Sequence, residues 1–127
     1  MQQQGALAYQ QVGKQTVSPR ELEANLLSKS ATNLQRVKDN WETSTSNDLN
    51  AALRFNRRLW TVFMSSVADP QSTLPQDVRE NVANLGIFIA KHMLALQIEP
   101  AAQKLDVLIN INRQLAAGLR TQPGQPT

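Results

Sequence analysis

The sequence has no cysteine and a single histidine, His92, in 127 residues. Without thiols there is no disulfide framework, thiolate zinc site, iron–sulfur cluster or cysteine nucleophile. One imidazole also leaves no His-x-x-His cluster and no spare histidine beside a Ser-His-Asp triad. Aromatic residues are scarce, with two Trp, one Tyr and three Phe, and they do not alternate with basic residues as single-strand RNA binders require. Long apolar runs are missing too. The longest nearly apolar stretch, Leu85 to Leu96, is broken by Lys91 and His92 and falls short of the ~18 residues of a membrane span. Met1-Gln2-Gln3-Gln4-Gly5 carries neither a basic cluster nor an apolar h-region, so a cytoplasmic protein without a secretory leader is expected. Thirteen Lys and Arg against ten Asp and Glu give +3, too mild an excess to imply nucleic acid by itself.

What the chain does contain is helical periodicity. Residues 1–17 are Gln-rich and read as a flexible arm. Ser18-Pro19-Arg20-Glu21 then forms a capping box with proline at the first helical position. Leu22, Leu26, Val37 and Trp41, flanked by Leu27 and Leu34, predict an amphipathic helix to about Trp41. Glu42 to Asn47 is a polar loop, and from Asp48 the set Leu49, Ala52, Leu53, Leu59, Trp60, Phe63 and Val67 predicts a second helix, stopped at Asp69-Pro70 because the residue before proline disfavours the helical region. Thr73-Leu74-Pro75-Gln76 reads as another cap-and-proline start, followed by Val78, Val82, Leu85, Ile89, Met93 and Leu96 on one face. A fourth helix begins at Pro100 or Ala101 and carries Leu105, Leu108, Ile109, Leu115 and Leu119. The expected fold is all-α: one domain, residues 18–120, forming a four-helix up-down bundle behind the arm, with a disordered tail over 121–127.

Two polar residues fall inside apolar stripes. At ~100° per residue Asn56 lies near Trp60 and Leu49, and Asn112 lies between Leu105, Leu108 and Ala116. Both are expected to be buried and hydrogen-bonded across helices, fixing register rather than holding a ligand. Arg54, Arg57 and Arg58 form the densest basic cluster, readable as a solvated face or as a patch for an acidic or phosphate-bearing partner. Phe55 and Val62, Val107 and Ile111, and Ile87 and Leu94 lie off the core stripes at i+4 or i+7 spacing, and could form a contact surface for a partner helix or a homodimer. Complete burial of the third helix is the competing explanation for Ile87 and Leu94. His92 reads as a packing residue, and Asp77 and Glu80 as helix-end electrostatics. No nucleophile-base pair, facing carboxylate pair or metal-ligand set is visible, so neither enzyme nor cofactor is expected.

Specific segments resemble a known family. Ala8-Tyr9-Gln10, Pro19-Arg20-Glu21-Leu22-Glu23, and Ala51-Ala52-Leu53-Arg54-Phe55-Asn56-Arg57-Arg58-Leu59-Trp60-Thr61-Val62-Phe63 are followed by Leu74-Pro75 through Arg79 to Asn84-Leu85-Gly86. Leu108-Ile109-Asn110-Ile111-Asn112-Arg113 and Ala117-Gly118-Leu119 come last. In this order they resemble the FlaF family of bacterial flagellar biosynthesis regulators, from about Tyr9 to Leu119. Ser72 stands where the family pattern suggests asparagine, which bears only on loop geometry. The resemblance implies a non-enzymatic helical protein that acts on flagellin as a secretion chaperone or assembly factor and works with FlbT, a regulator of flagellin messenger translation. It supplies no agreed binding residues.

Combined with the off-stripe residues, this suggests a groove among helices two, three and four. Phe55, Val62, Val107 and Ile111 would form its floor and Arg54, Arg57 and Arg58 its rim, for a terminal helix of flagellin. The alternative is a translational regulator touching flagellin messenger directly through the arginines, or through FlbT. Monomer and homodimer both remain open.

Overall fold

The computed structural model describes residues 18–121, so the expected arm and most of the expected tail lie outside the described residues. Four helices follow in order: α1 Pro19–Asp39, α2 Ser46–Ala68, α3 Gln76–Ile98 and α4 Leu105–Arg120, with a 3-10 turn at Ala102–Lys104 before α4. There is no strand among the described residues.

Local chemistry sets the boundaries. Ser18 Oγ accepts from the Glu21 amide at 3.1 Å, and Pro19 occupies the first helical position. The full reciprocal capping box forms at α2 instead: Thr45 Oγ1 accepts from the Asp48 amide at 3.1 Å while Asp48 Oδ2 accepts from the Thr45 amide at 2.9 Å. These bonds satisfy amides that have no partner inside the helix, and they start α2 two residues before the expected Asp48. Asp69, held extended ahead of Pro70, ends α2. The expected threonine cap of α3 does not form. Pro75 holds the cap position and offers no acceptor side chain, while Thr73 Oγ1 instead accepts from Arg20 Nη2 at 3.0 Å. The fourth helix also starts later than Pro100 or Ala101, because the backbone first tightens into the 3-10 turn.

Consecutive helices run antiparallel, as successive pairings show. Glu23 Oε2 accepts from Ser66 Oγ across α1 and α2. The Val67 carbonyl accepts from Arg79 Nε across α2 and α3 at 3.0 Å, and the Lys104 carbonyl meets His92 Nε2 at 2.6 Å where α3 turns into α4. Lys38 pairs with Asp106 and Arg120 donates to Asn25, closing α4 onto α1. The result is an up-down bundle.

α1 packs most closely on α4, and the residues it buries explain why. Ala24 and Ala31 are fully inaccessible on α1, and Ala116 is only 1% exposed on α4, and small side chains let two backbones approach. The expected α1 face is therefore corrected. The core side holds Ala24, Leu27, Ser30, Ala31, Leu34 and Val37, whereas Leu22 and Leu26 are exposed, a rotation of roughly a quarter turn from the predicted stripe. The other three stripes match: Trp60 and Phe63 of α2, in edge-to-face contact at 5.7 Å, pack in one core with Val82, Ile89 and Leu96 of α3 and Leu105, Leu108 and Leu119 of α4.

Candidate interaction surface

α3 has two apolar faces. One enters the core through Val82, Ile89, Met93 and Leu96. On the opposite side Ile87, Leu94 and Ile98 are 56%, 58% and 77% exposed. Their i, i+7, i+11 spacing sets them in one line, about 16 Å long at ~1.5 Å per residue. Lys91, also exposed, falls within the line. Phe88 lies at its α4 edge, 44% exposed and stacked on the His92 ring at 5.5 Å. Complete burial of α3 is thus not what the bundle achieves, since no neighbouring helix covers Ile87, Leu94 and Ile98. Isolated exposed aliphatics are ordinary, but an aligned row on a helix whose other face is already packed is the usual form of a docking surface.

The residues expected to build one groove among α2, α3 and α4 are separated. Phe55 leans toward α1: Lys29 Nζ sits 5.5 Å from its ring centroid. It also borders an open cleft of about 460 Å³, whose other lining residues include Asn33, Arg36, Asn40 and Asp48. Val62, seven residues on, shares that side and is 69% exposed. Antiparallel pairing of Glu23 with Ser66 and Lys29 with Phe55 brings the exposed Leu22 and Leu26 to the same seam. Val107 and Ile111 are half-buried against the core, on the side of α4 away from Asp106 and Arg120, the residues that reach α1. Phe55 and Val62 therefore mark the α1–α2 seam, and Val107 and Ile111 the α3–α4 seam on the opposite edge of the bundle. The four do not form a common floor.

Arg54, Arg57 and Arg58 are all exposed. They are the only charged residues of α2 after Asp48, and no ion pair among the described residues involves them. Arg57 follows Asn56, whose Nδ2 contacts Met93 Sδ at 3.4 Å. That contact sets Arg57 level with Leu94 on the neighbouring helix, so Arg57 borders the α3 row, with Arg54 one turn away on the same half of α2, whereas Arg58, one turn before Val62, lies on the outer face toward the α1–α2 seam.

Beneath this surface all four helices meet in one polar layer. Asn112 Nδ2 donates to Asn56 Oδ1 at 2.9 Å, and Ser30 Oγ donates to the same oxygen at 2.8 Å. Trp60 Nε1 donates to Asn112 Oδ1 at 2.9 Å. Asn56 and Asn112 are both fully inaccessible, and no buried side-chain nitrogen or oxygen among the described residues lacks a partner. With its donors and acceptors already engaged, the layer holds helices in register and offers nothing to a ligand.

The profile of the family described as flagellar protein FlaF matches residues 6–119. The chain belongs to the FlaF family. No curated protein matches it, and neither does any solved structure. The FlaF match starts inside the Gln-rich segment, ahead of the first described residue, and runs almost to the end of α4. Among the described residues of this FlaF chain no group of three or more His, Asp or Glu is placed to hold a metal ion, and no helix is long and apolar enough to cross a membrane. Sequence reasoning selected Ile87 and Leu94 but missed Ile98 and Phe88. Ile98 was discoverable, since it extends the Ile87–Leu94 line by one further turn.

Proposed function

We propose that this FlaF-family protein is a non-enzymatic flagellar factor of the cytoplasm that binds a terminal helix of flagellin, acting as a secretion chaperone or assembly factor. The observation that carries the reading is the uncovered row Ile87, Leu94 and Ile98 on a helix already packed on its other side. Flagellin's terminal segments are amphipathic helices, and helix-in-groove or helix-on-helix docking needs such a row of anchors. Influence on flagellin synthesis, directly or with FlbT, would then follow from how much flagellin the protein holds.

The test is size-exclusion chromatography with light scattering of the purified protein and its cognate flagellin, at low and high salt. A stoichiometric complex that survives high salt and is lost in Leu94→Asp supports the reading. Undiminished association in Leu94→Asp rejects it.

A second reading is favoured by one observation, the exposed Arg54, Arg57 and Arg58 without acidic partners among the described residues. In it the protein contacts flagellin messenger. Affinity for that RNA would fall steeply with ionic strength through counterion release, unlike an apolar contact.

A further inference from the structure

We propose that the α3 row and the arginine edge of α2 form one docking surface, and that its occupant is an acidic amphipathic helix. The occupant's apolar side would lie on Ile87, Leu94 and Ile98, with its carboxylates toward Arg57 and Arg54. This deepens the flagellin-binding reading, on which it rests for the existence of a helical partner, by fixing the chemistry and orientation of the bound segment.

Register joins the two features. Arg79 bonds the Val67 carbonyl, a Cβ placed on Gly86 would meet Met64 Sδ, and Asn56 touches Met93. Gly86 and Met93 thus lie on the α2 side of α3, and each is followed directly by a member of the row, Ile87 and Leu94. On α2, Met64 and Arg57 are seven residues apart and share the α3-facing side. Arg57, with Arg54 one turn away, therefore stands beside the apolar row on the neighbouring helix, and Arg58 turns away from it toward Val62.

Charge is one-sided, and that selects the occupant. On the α2 flank stand Arg57 and Arg54, and Lys91 adds a third cation within the row. On the α4 flank Asn84, Phe88 and Ala95 are exposed or half-exposed and uncharged. Glu80 stands at the start of α3 and Glu99 lies just past Ile98, each beyond an end of the row rather than beside it. An anionic membrane is met best by cations on both sides of an apolar face, and RNA has no use for a central aliphatic row. A single file of anchors bordered by cations along one edge is the complement of one helix with an apolar stripe and an acidic shoulder.

The experiment uses the full chain and three designed helical peptides with the same apolar stripe, carrying glutamate, glutamine or lysine on the shoulder. Binding is followed by fluorescence anisotropy. The wild type is expected to prefer the glutamate peptide over the glutamine one by roughly fivefold, two exposed ion pairs each contributing about two- to threefold. The preference should shrink at high salt. It should disappear in Arg54→Gln/Arg57→Gln, persist in Arg58→Gln, and invert toward the lysine-bearing peptide in Arg54→Glu/Arg57→Glu. Leu94→Asp should weaken the glutamate and glutamine peptides alike. Equal affinity for glutamate and glutamine peptides overturns the proposal, as does stronger binding to anionic vesicles or an RNA oligonucleotide than to the glutamate peptide. Charge discrimination without a flagellin complex would leave this surface standing and remove flagellin as its partner. A flagellin complex without charge discrimination would do the reverse.

Discussion

Asn112 and Asn56, 56 residues apart in the chain, share a hydrogen bond of 2.9 Å at the centre of the bundle, and Ser30 supplies the second donor to the same Asn56 oxygen. The three side chains differ in what their removal strands. Asn112→Ala leaves the Trp60 indole N–H without an acceptor and opens a void, so it is expected to cost about 2–4 kcal/mol. Ser30→Ala leaves Asn56 Oδ1 still bonded to Asn112 and orphans nothing, so about 1 kcal/mol or less is expected. Urea denaturation of the two variants measures the ratio. Equal losses would mean that the layer acts through packing rather than through satisfied polar groups.

The threonines before α2 and α3 look alike in sequence but do different work. Thr45 caps α2 in a reciprocal box, and Thr45→Ala should lower stability by about 1 kcal/mol. Thr73 caps nothing and meets only Arg20 at the surface, so Thr73→Ala should change stability by less than about 0.5 kcal/mol. Thermal melts resolve the difference, since about 1 kcal/mol moves the midpoint by ~4–8 °C in a domain of this size.

Close approach of α1 and α4 depends on Ala31, which is fully inaccessible. Ala31→Leu adds three carbons where no space exists and should cost about 1–3 kcal/mol. Leu26→Ala removes the same three carbons from a side chain 36% exposed and should cost less than about 1 kcal/mol. This ordering, the reverse of what hydrophobicity alone suggests, is readable by chemical denaturation.

Helix number, order and three of the four core stripes are legible in the sequence because Leu, Ile, Phe and Trp recur there at three- and four-residue steps. On α1 the same logic picks the wrong side. Its large residues Leu22 and Leu26 stay outside, and Ala24 and Ala31 make the tightest interface, because backbone proximity rewards small volume and leaves no hydrophobic signature. Burial of Asn56 and Asn112 is legible from position alone; that they bond each other is not, since helical phase does not say which helices are neighbours or at what height. The same blindness explains the groove. Phe55, Val62, Val107 and Ile111 are each off the stripe centre, but only the packing order of the helices reveals that the pairs belong to opposite seams.

Gly86 and Gly118 separate two effects of the missing Cβ. A Cβ on Gly118 meets nothing within 4 Å, whereas one on Gly86 would lie 2.6 Å from Met64 Sδ. Gly118→Ala should therefore stabilise by about 0.5–1 kcal/mol through the unfolded chain and helix propensity. Gly86→Ala should gain less, because Met64 must move aside, and Gly86→Ala/Met64→Ala should leave the α2–α3 contact loosened. Melting temperatures of the three variants test the ordering.

Partner binding and fold stability should separate cleanly on α3, and this distinguishes the observed surface from the groove expected from sequence. Ile98, 77% exposed, and Ile87, 56% exposed, make few contacts to lose, so Ile98→Glu and Ile87→Glu should leave stability within about 0.5 kcal/mol of wild type. The same substitutions place a carboxylate at either end of the apolar docking row and should abolish co-elution with flagellin. Ile111→Asp acts the other way. Its side chain is half-buried against the core, and burying a charge without a partner costs several kcal/mol, so a loss of binding in that variant should be accompanied by loss of helicity in circular dichroism. A variant set in which Ile98→Glu binds normally while a well-folded Ile111→Asp does not would return the binding face to the α3–α4 seam.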